Sequence, residues 1–286
     1  MHHLKNNLPM KEYFELIERS KKLYQEELKR HNDASHPLNI LLFLVDNGIT
    51  KTNGLSDLYK AIIKNMHDDA FTIVLNIGEN YGGTGKPIKS WMSCDLPLLT
   101  YITIKINNNK IEEIHKKSIT KIVNLVDEGK WKCKSCTNLG NFRGPGRKSD
   151  ECPITTLNVL KLLTLTTNNE YEMEKQNAIR ILLNLWNERK IRKPYLFGMG
   201  TDFLKIKYPL IWYDILNLLS VLSQYPEAIQ TKEYKEMLNI LKENVSKNGF
   251  KPQSVYQFWK NFDFGQKKIN SKYIEKVYQE IELKSK

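Results

Sequence analysis

An all-α fold, a barrel or a solenoid of helical hairpins stacked side by side, is what the sequence predicts, and three observations carry that prediction. Short apolar blocks open with proline at Pro37, Pro97, Pro153 and Pro209, spaced 60, 56 and 56 residues apart. Proline is favoured in the first turn of a helix, where its missing N–H would have no partner anyway, so each block reads as a helix start. The blocks are apolar on nearly every side, whereas the segments between them carry a single apolar stripe, so buried and outer helices alternate with a period of about 56 residues.

Taken in order, residues 10 to 30 read as an N-terminal helix packed on the outside. The block at Pro37 continues Leu-Asn-Ile-Leu-Leu, and the block at Pro97 continues Leu-Leu-Thr-Tyr-Ile. Residues 70 to 76, with Phe71, Ile73, Val74 and Leu75, are the one plausible strand. Residues 111 to 127 place Ile114, Ile122, Leu125 and Val126 on one stripe, as an outer helix requires. Leu157, Val159, Leu160, Leu162 and Leu163 leave the block at Pro153 almost no solvent face, and Ile215 to Leu222 do the same after Pro209. Residues 171 to 186 and 232 to 245 supply the next amphipathic segments, and a last start falls at Ser271. No low-complexity linker interrupts the chain, so residues 1–34 form the outer helix and 35–286 a single domain.

The 286-residue chain is 41% hydrophobic with 10% aromatics, enough for a substantial core. Its longest apolar run is far too short to cross a bilayer, and its start lacks the pattern of a signal peptide, so a cytoplasmic location is expected. Lys and Arg exceed Asp and Glu by 44 to 32, a net charge of +12 that suits an anionic partner such as nucleic acid or a phosphorylated molecule.

If the buried helices run parallel, the loops preceding them share one rim, and those loops hold the chemistry. They combine glycine with cations (Arg143, Arg147, Lys148, Lys205, Lys207, Lys267, Lys268) and aromatics (Trp91, Trp131, Tyr195, Phe203, Tyr208, Trp212, Tyr213). Helix N-termini add free N–H groups and a positive dipole end. The expectation is an aromatic cavity beneath a cationic mouth, fitted to an amphiphile with an anionic head or to a splayed base. Asp150, Asp202, Asp214 and Asp263 are candidate acids or bases; Asp214 falls one turn inside the block at Pro209, where a carboxylate must be paired or hold its proton.

Cys133-x2-Cys136 followed by Cys152 has half of a zinc-ribbon spacing, and Cys94 occupies the rim position equivalent to Cys152 one repeat earlier. A zinc ion held by Cys94, Cys133, Cys136 and Cys152 is one reading, and reduced thiols without metal, an iron–sulfur cluster or a disulfide are the others. Gly82-Gly-Thr-Gly-Lys86 lacks the spacing of a phosphate loop, and no strand leads into it.

The turns Asp127-Glu-Gly-Lys-Trp131 and Lys247-Asn-Gly-Phe250 stand with three longer runs, Phe142-Arg-Gly-Pro-Gly-Arg-Lys-Ser-Asp-Glu-Cys-Pro, Phe197-Gly-Met-Gly-Thr-Asp-Phe-Leu-Lys and Phe264-Gly-Gln-Lys-Lys. From Pro37 to the C-terminus the chain resembles an uncharacterised bacterial and archaeal group within the prenyltransferase and squalene-cyclase repeat superfamily. The resemblance implies an α/α toroid and a ligand such as an isoprenoid diphosphate. It does not bring the cyclase acid, because no D-x-D-D motif occurs, and the magnesium motif D-D-x-x-D is also missing. Asp95, Cys152 and His36 do not reproduce the spacing of the prenyltransferase zinc ligands. Three functions remain open at this stage: a transferase or lyase acting on a phosphorylated amphiphile, a nucleic-acid-binding module or base-acting enzyme using the same rim, and a helical scaffold without chemistry.

Overall fold

The computed structural model describes residues 10–28, 33–167 and 169–286, and the chain is mostly helical with a few short strands. The N-terminal helix α1 (Met10–Lys21) is shorter than its sequence suggests: a 3-10 turn, Lys22–Tyr24, follows, and Leu28 then pairs with Leu75 as an isolated bridge. Arg30, expected in that helix, lies outside the described residues.

Helix α2 (Pro37–Asp46) begins at its proline, with His36 Nδ1 accepting a hydrogen bond from the Leu38 N–H as the cap. Helix α3 (Ser56–Lys64) leads to two small antiparallel pairs. Strand β1 (Met66–His67) pairs with β2 (Ala70–Phe71), and β3 (Ile73–Leu75) with β4 (Ile88–Ser90) in the register Ile73 to Ser90. The apolar run at 70 to 76 is thus extended, as its β-branched residues favour.

Helix α4 (Asp95–Ile106) holds Pro97 in its first turn, and α5 (Glu113–Val123) lies against it. Helix α6 (Pro153–Leu163) starts at its proline and is buried throughout, including Lys161, and α7 (Glu172–Asn187) covers it. Helix α8 (Ile215–Leu222) departs from the expected start: Pro209 follows a cis peptide bond in a non-helical stretch, and the helix begins six residues later. Asp214 sets that start, accepting the Asn217 N–H on Oδ1 at 3.0 Å, a stronger N-terminal signal than the proline. Asp214 is therefore a cap, not a residue one turn inside a helix. A short helix α9 (Pro226–Ile229) and the long α10 (Lys232–Asn248) follow. The last helix, α11 (Lys272–Lys284), is capped by Ser271, whose hydroxyl accepts the Ile274 N–H.

The buried helices pack in chain order, α2 on α4, α4 on α6, α6 on α8 and α8 on α11. The like ends of α2, α4, α6 and α8 coincide. At the start of α4, the Cys94 carbonyl accepts from Nδ2 of Asn158, in the middle of α6, at 3.0 Å. Toward the other end, Tyr101 of α4 and Lys161 of α6 both reach Asp46 at the end of α2. A ring cluster lies at the centre of the core: Phe43 has Trp259, Phe262, Phe264 and Tyr273 within 6 Å, centroid to centroid. The loops before α4 and α6 interlock backbone to backbone, with the Cys136 N–H donating to the Trp91 carbonyl and the Ser93 N–H to that of Lys134. Gly140 has φ +90°, and a Cβ there would lie 2.7 Å from the Gly82 carbonyl, so only glycine fits this crossing. Among the described residues no helix is long and apolar enough to cross a membrane.

Candidate functional site

The starts of α4 and α6 and the loops around them enclose a cavity of about 220 Å³. Cys94 enters from the residue before α4 and Cys152 from the residue before α6. Cys133 and Phe142 come from the long loop between α5 and α6. Tyr195, Phe197, Trp212 and Tyr213 close the far side. Gly144 and Gly146 let that long loop lie flat on Tyr195, since a Cβ at either would stand within 3 Å of the ring. Tyr195 and Leu196 hold positive φ angles of 47° and 68°, which turn Leu196 outward, where it is 65% exposed.

Two polar atoms in this wall are buried without a partner, the indole Nε1 of Trp212 and the hydroxyl of Tyr213. A buried N–H or O–H with no acceptor costs roughly 1–3 kcal/mol, a cost that both side chains carry. Burial holds the Tyr213 hydroxyl well above the usual phenol range, so it keeps its proton.

Three of the four cysteines meet here. Cys133 Sγ accepts the Gly144 N–H at 2.9 Å, and the hydrogen bond between Cys133 and Cys152, followed by burial, pushes the Cys152 thiol up. Cys136 does not line the cavity; it precedes a 3-10 turn, Thr137–Leu139, with its backbone tied to Trp91. Among the described residues no group of three or more His, Cys, Asp and Glu side chains is arranged to hold a metal ion. Of the four cysteines read as zinc ligands, Cys94, Cys133 and Cys152 thus share the cavity and Cys136 does not, and none of the four carries a disulfide.

The aromatic residues divide between wall and core. Trp91 and Trp131 are buried away from the cavity, Trp131 donating its indole N–H to the Ile122 carbonyl at 3.2 Å. Phe203 packs behind Tyr213 at 5.4 Å, and Tyr208 belongs to the ring cluster around Phe43.

The cations divide as well. Arg143 folds back on its own loop, donating to the Gly144 and Gly146 carbonyls. Arg147 and Lys148 are exposed, with no ion-pair partner among the described residues. Arg147, Asp150, Arg192 and Lys193 line an open groove of about 390 Å³, which shares Pro145 with the aromatic cavity. Lys205 and Lys207 line neither space, because Asp202 holds both, at 3.2 and 2.7 Å. Lys267 and Lys268 lie exposed beside the turn Asp263–Gly265 and line neither space.

All four candidate carboxylates have structural partners. Asp150 faces Arg192 at 3.7 Å and accepts the Arg147 N–H. Lys207 beside Asp202 holds its carboxyl below the usual range. Asp214 caps α8, and Asp263 accepts from Ser271 Oγ and the Lys272 N–H at the start of α11. None lines the aromatic cavity.

A second cavity, of about 410 Å³, lies at the opposite ends of the buried helices and was not anticipated. The side chains of Asp46, Tyr101 and Lys161 meet there. The sequence did carry a sign of it: Lys161 is the single charge within the otherwise uncharged α6.

No family profile, no characterised protein and no solved structure matches this chain.

Proposed function

We propose that this chain is an α/α-toroid binding protein, a relative of the prenyltransferase and squalene-cyclase repeat proteins, that takes an isoprenoid diphosphate. The apolar tail occupies the aromatic cavity and the head lies in the groove beside Arg147 and Lys193. The observation that carries this reading is the wall itself: five aromatic rings around a cavity that shares Pro145 with a cationic groove. The packing of the buried helices in chain order supports the toroid, and the shared Pro145 joins apolar and cationic spaces into one path. A volume of about 220 Å³ favours a short prenyl tail. Base stacking is the weaker reading, because Trp91, Trp131 and Tyr195 are 8%, 1% and 5% exposed and offer no open platform.

Isothermal titration with geranyl diphosphate, geraniol and inorganic diphosphate tests the proposal. Geranyl diphosphate is expected to bind at least about tenfold more tightly than inorganic diphosphate, because each buried methylene contributes roughly 0.8 kcal/mol. Arg147→Ala, in the groove assigned to the head, is expected to weaken it about tenfold, the value of one hydrogen bond to a charged group. Equal affinity for inorganic diphosphate, or polynucleotide binding with a steep salt slope and no prenyl binding, would overturn it.

A further inference from the structure

We propose that the second cavity, at the C-terminal ends of α2, α4, α6 and α8, is a separate binding site for a small organic phosphate monoester. It is lined by residues of α2, α4, α6, α8 and α11, with Tyr208 from the stretch before α8. Its floor is an ion pair: Asp46 accepts the Tyr101 hydroxyl on Oδ1 at 2.7 Å and faces Lys161 Nζ across 3.4 Å on Oδ2. The Lys161 side chain is only 8% exposed. An ammonium carries three N–H donors, and this one has a single long contact, with the Tyr101 ring 5.6 Å away. A buried charge this poorly provided with acceptors calls for another.

The rest of the wall has the same bias. Tyr208 accepts from Asn47 Nδ2 at 3.1 Å, so its own O–H is left to donate. Lys105 of α4 and Lys276 of α11 line the same space, and neither has an ion-pair partner among the described residues. Asp46 has both oxygens engaged and Glu280 is the other carboxylate of the lining, so three lysines face two carboxylates and the cavity keeps one cation in excess for an anionic ligand. A lysine near a helix C-terminus is ordinarily explained by the dipole. That accounts for the sign of Lys105 and Lys161 but not for the unfilled donors. A phosphate monoester brings close to two negative charges and several acceptor oxygens. The volume of about 410 Å³ leaves room for an organic part as well.

Titration of the intact protein with glycerol 3-phosphate and ribose 5-phosphate, followed by calorimetry and by the rise in Tm, tests the assignment. At least one ester is expected to saturate, to bind more tightly than inorganic phosphate or malate, and to raise Tm. Lys161→Met is expected to weaken it at least about tenfold. Because that change strands Asp46, the double variant Lys105→Ala/Lys276→Ala, at a half-buried and an exposed position outside the floor, provides the same loss in a chain that keeps its floor. Arg147→Ala, at the other cavity, is expected to leave ester affinity unchanged, which separates this site from the aromatic one. Absence of saturable binding by both esters at millimolar concentration, unchanged affinity in the double variant, or equal binding of inorganic phosphate or malate would overturn the proposal.

Discussion

Replacing Asp214 with asparagine is expected to stabilise the protein above neutral pH and to remove a specific slope from its stability curve. Asp214 is fully buried; one oxygen accepts the Asn217 N–H and the other has no partner. Lys207, which pulls the other way, is engaged with Asp202 at 2.7 Å, Asp202 adds a smaller upward push, and Tyr256 feels the carboxyl in turn. Burial therefore pushes the carboxyl up from 3.8 to about 7. A folded-state value above the unfolded one means that the folded protein binds more protons between these two pH values. The contribution is fully present below the unfolded value and is lost as pH rises through the folded one. About three pH units at about 1.36 kcal/mol each sets a ceiling of about 4 kcal/mol. Asparagine is an equally good N-cap residue and forfeits only the roughly 0.3–1 kcal/mol of a charge at the helix start. Urea unfolding of both proteins from pH 5 to pH 8 should show the advantage of Asp214→Asn growing by about 2 to 3 kcal/mol over that range. Parallel curves would refute the assignment of a protonated, desolvated carboxyl.

Two further outcomes are expected. His115 is buried, accepts the Glu112 N–H on Nδ1 at 2.9 Å and leaves Nε2 without a partner; burial lowers its pKa from 6.5 to about 4, against the pull of Glu112 and with the repulsion of Lys51. Here the folded value lies below the unfolded one, so stability present above pH 6.5 is lost as pH falls toward 4, by up to about 3 kcal/mol, and His115→Gln should flatten that acid limb in the same urea series. Arg192→Met leaves Glu151, 4% exposed, with only Lys130 at 3.5 Å, and should cost about 2 to 3 kcal/mol. Adding Glu151→Gln should restore most of that loss, and an additive double variant would show that the pair does not couple.

Much of the fold is legible in the sequence because it rests on local rules. Pro37 and Pro153 each occupy the first position of a buried helix, and the stripes at 111 to 127, 171 to 186 and 232 to 245 contain α5 and most of α7 and α10. Pro209 misleads because a side-chain cap outranks a proline in fixing a helix start, and Asp214 supplies that cap. The site is legible only where the helix ends fix it: Cys94 and Cys152 meet because α4 and α6 start together, while Cys136 sits on a turn whose direction no spacing rule gives. Composition cannot distinguish rings that line a space from rings that fill one, and Tyr208 went to the cluster around Phe43. Nor can it show that Lys205 and Lys207 are both held by a single carboxylate. The Asp46 and Lys161 pair joins positions 115 apart along the chain, a contact visible only once the helices are packed.

The crossing of Gly82 and Gly140 also bears on how the molecule tolerates change. Two main chains touch there with no side chain between them, so neither loop can lengthen or shorten without displacing its neighbour and the cysteines anchored behind it. Fusion points and fluorescent labels therefore belong on the outer helices, where exposed Met173 of α7 offers a place clear of both cavities.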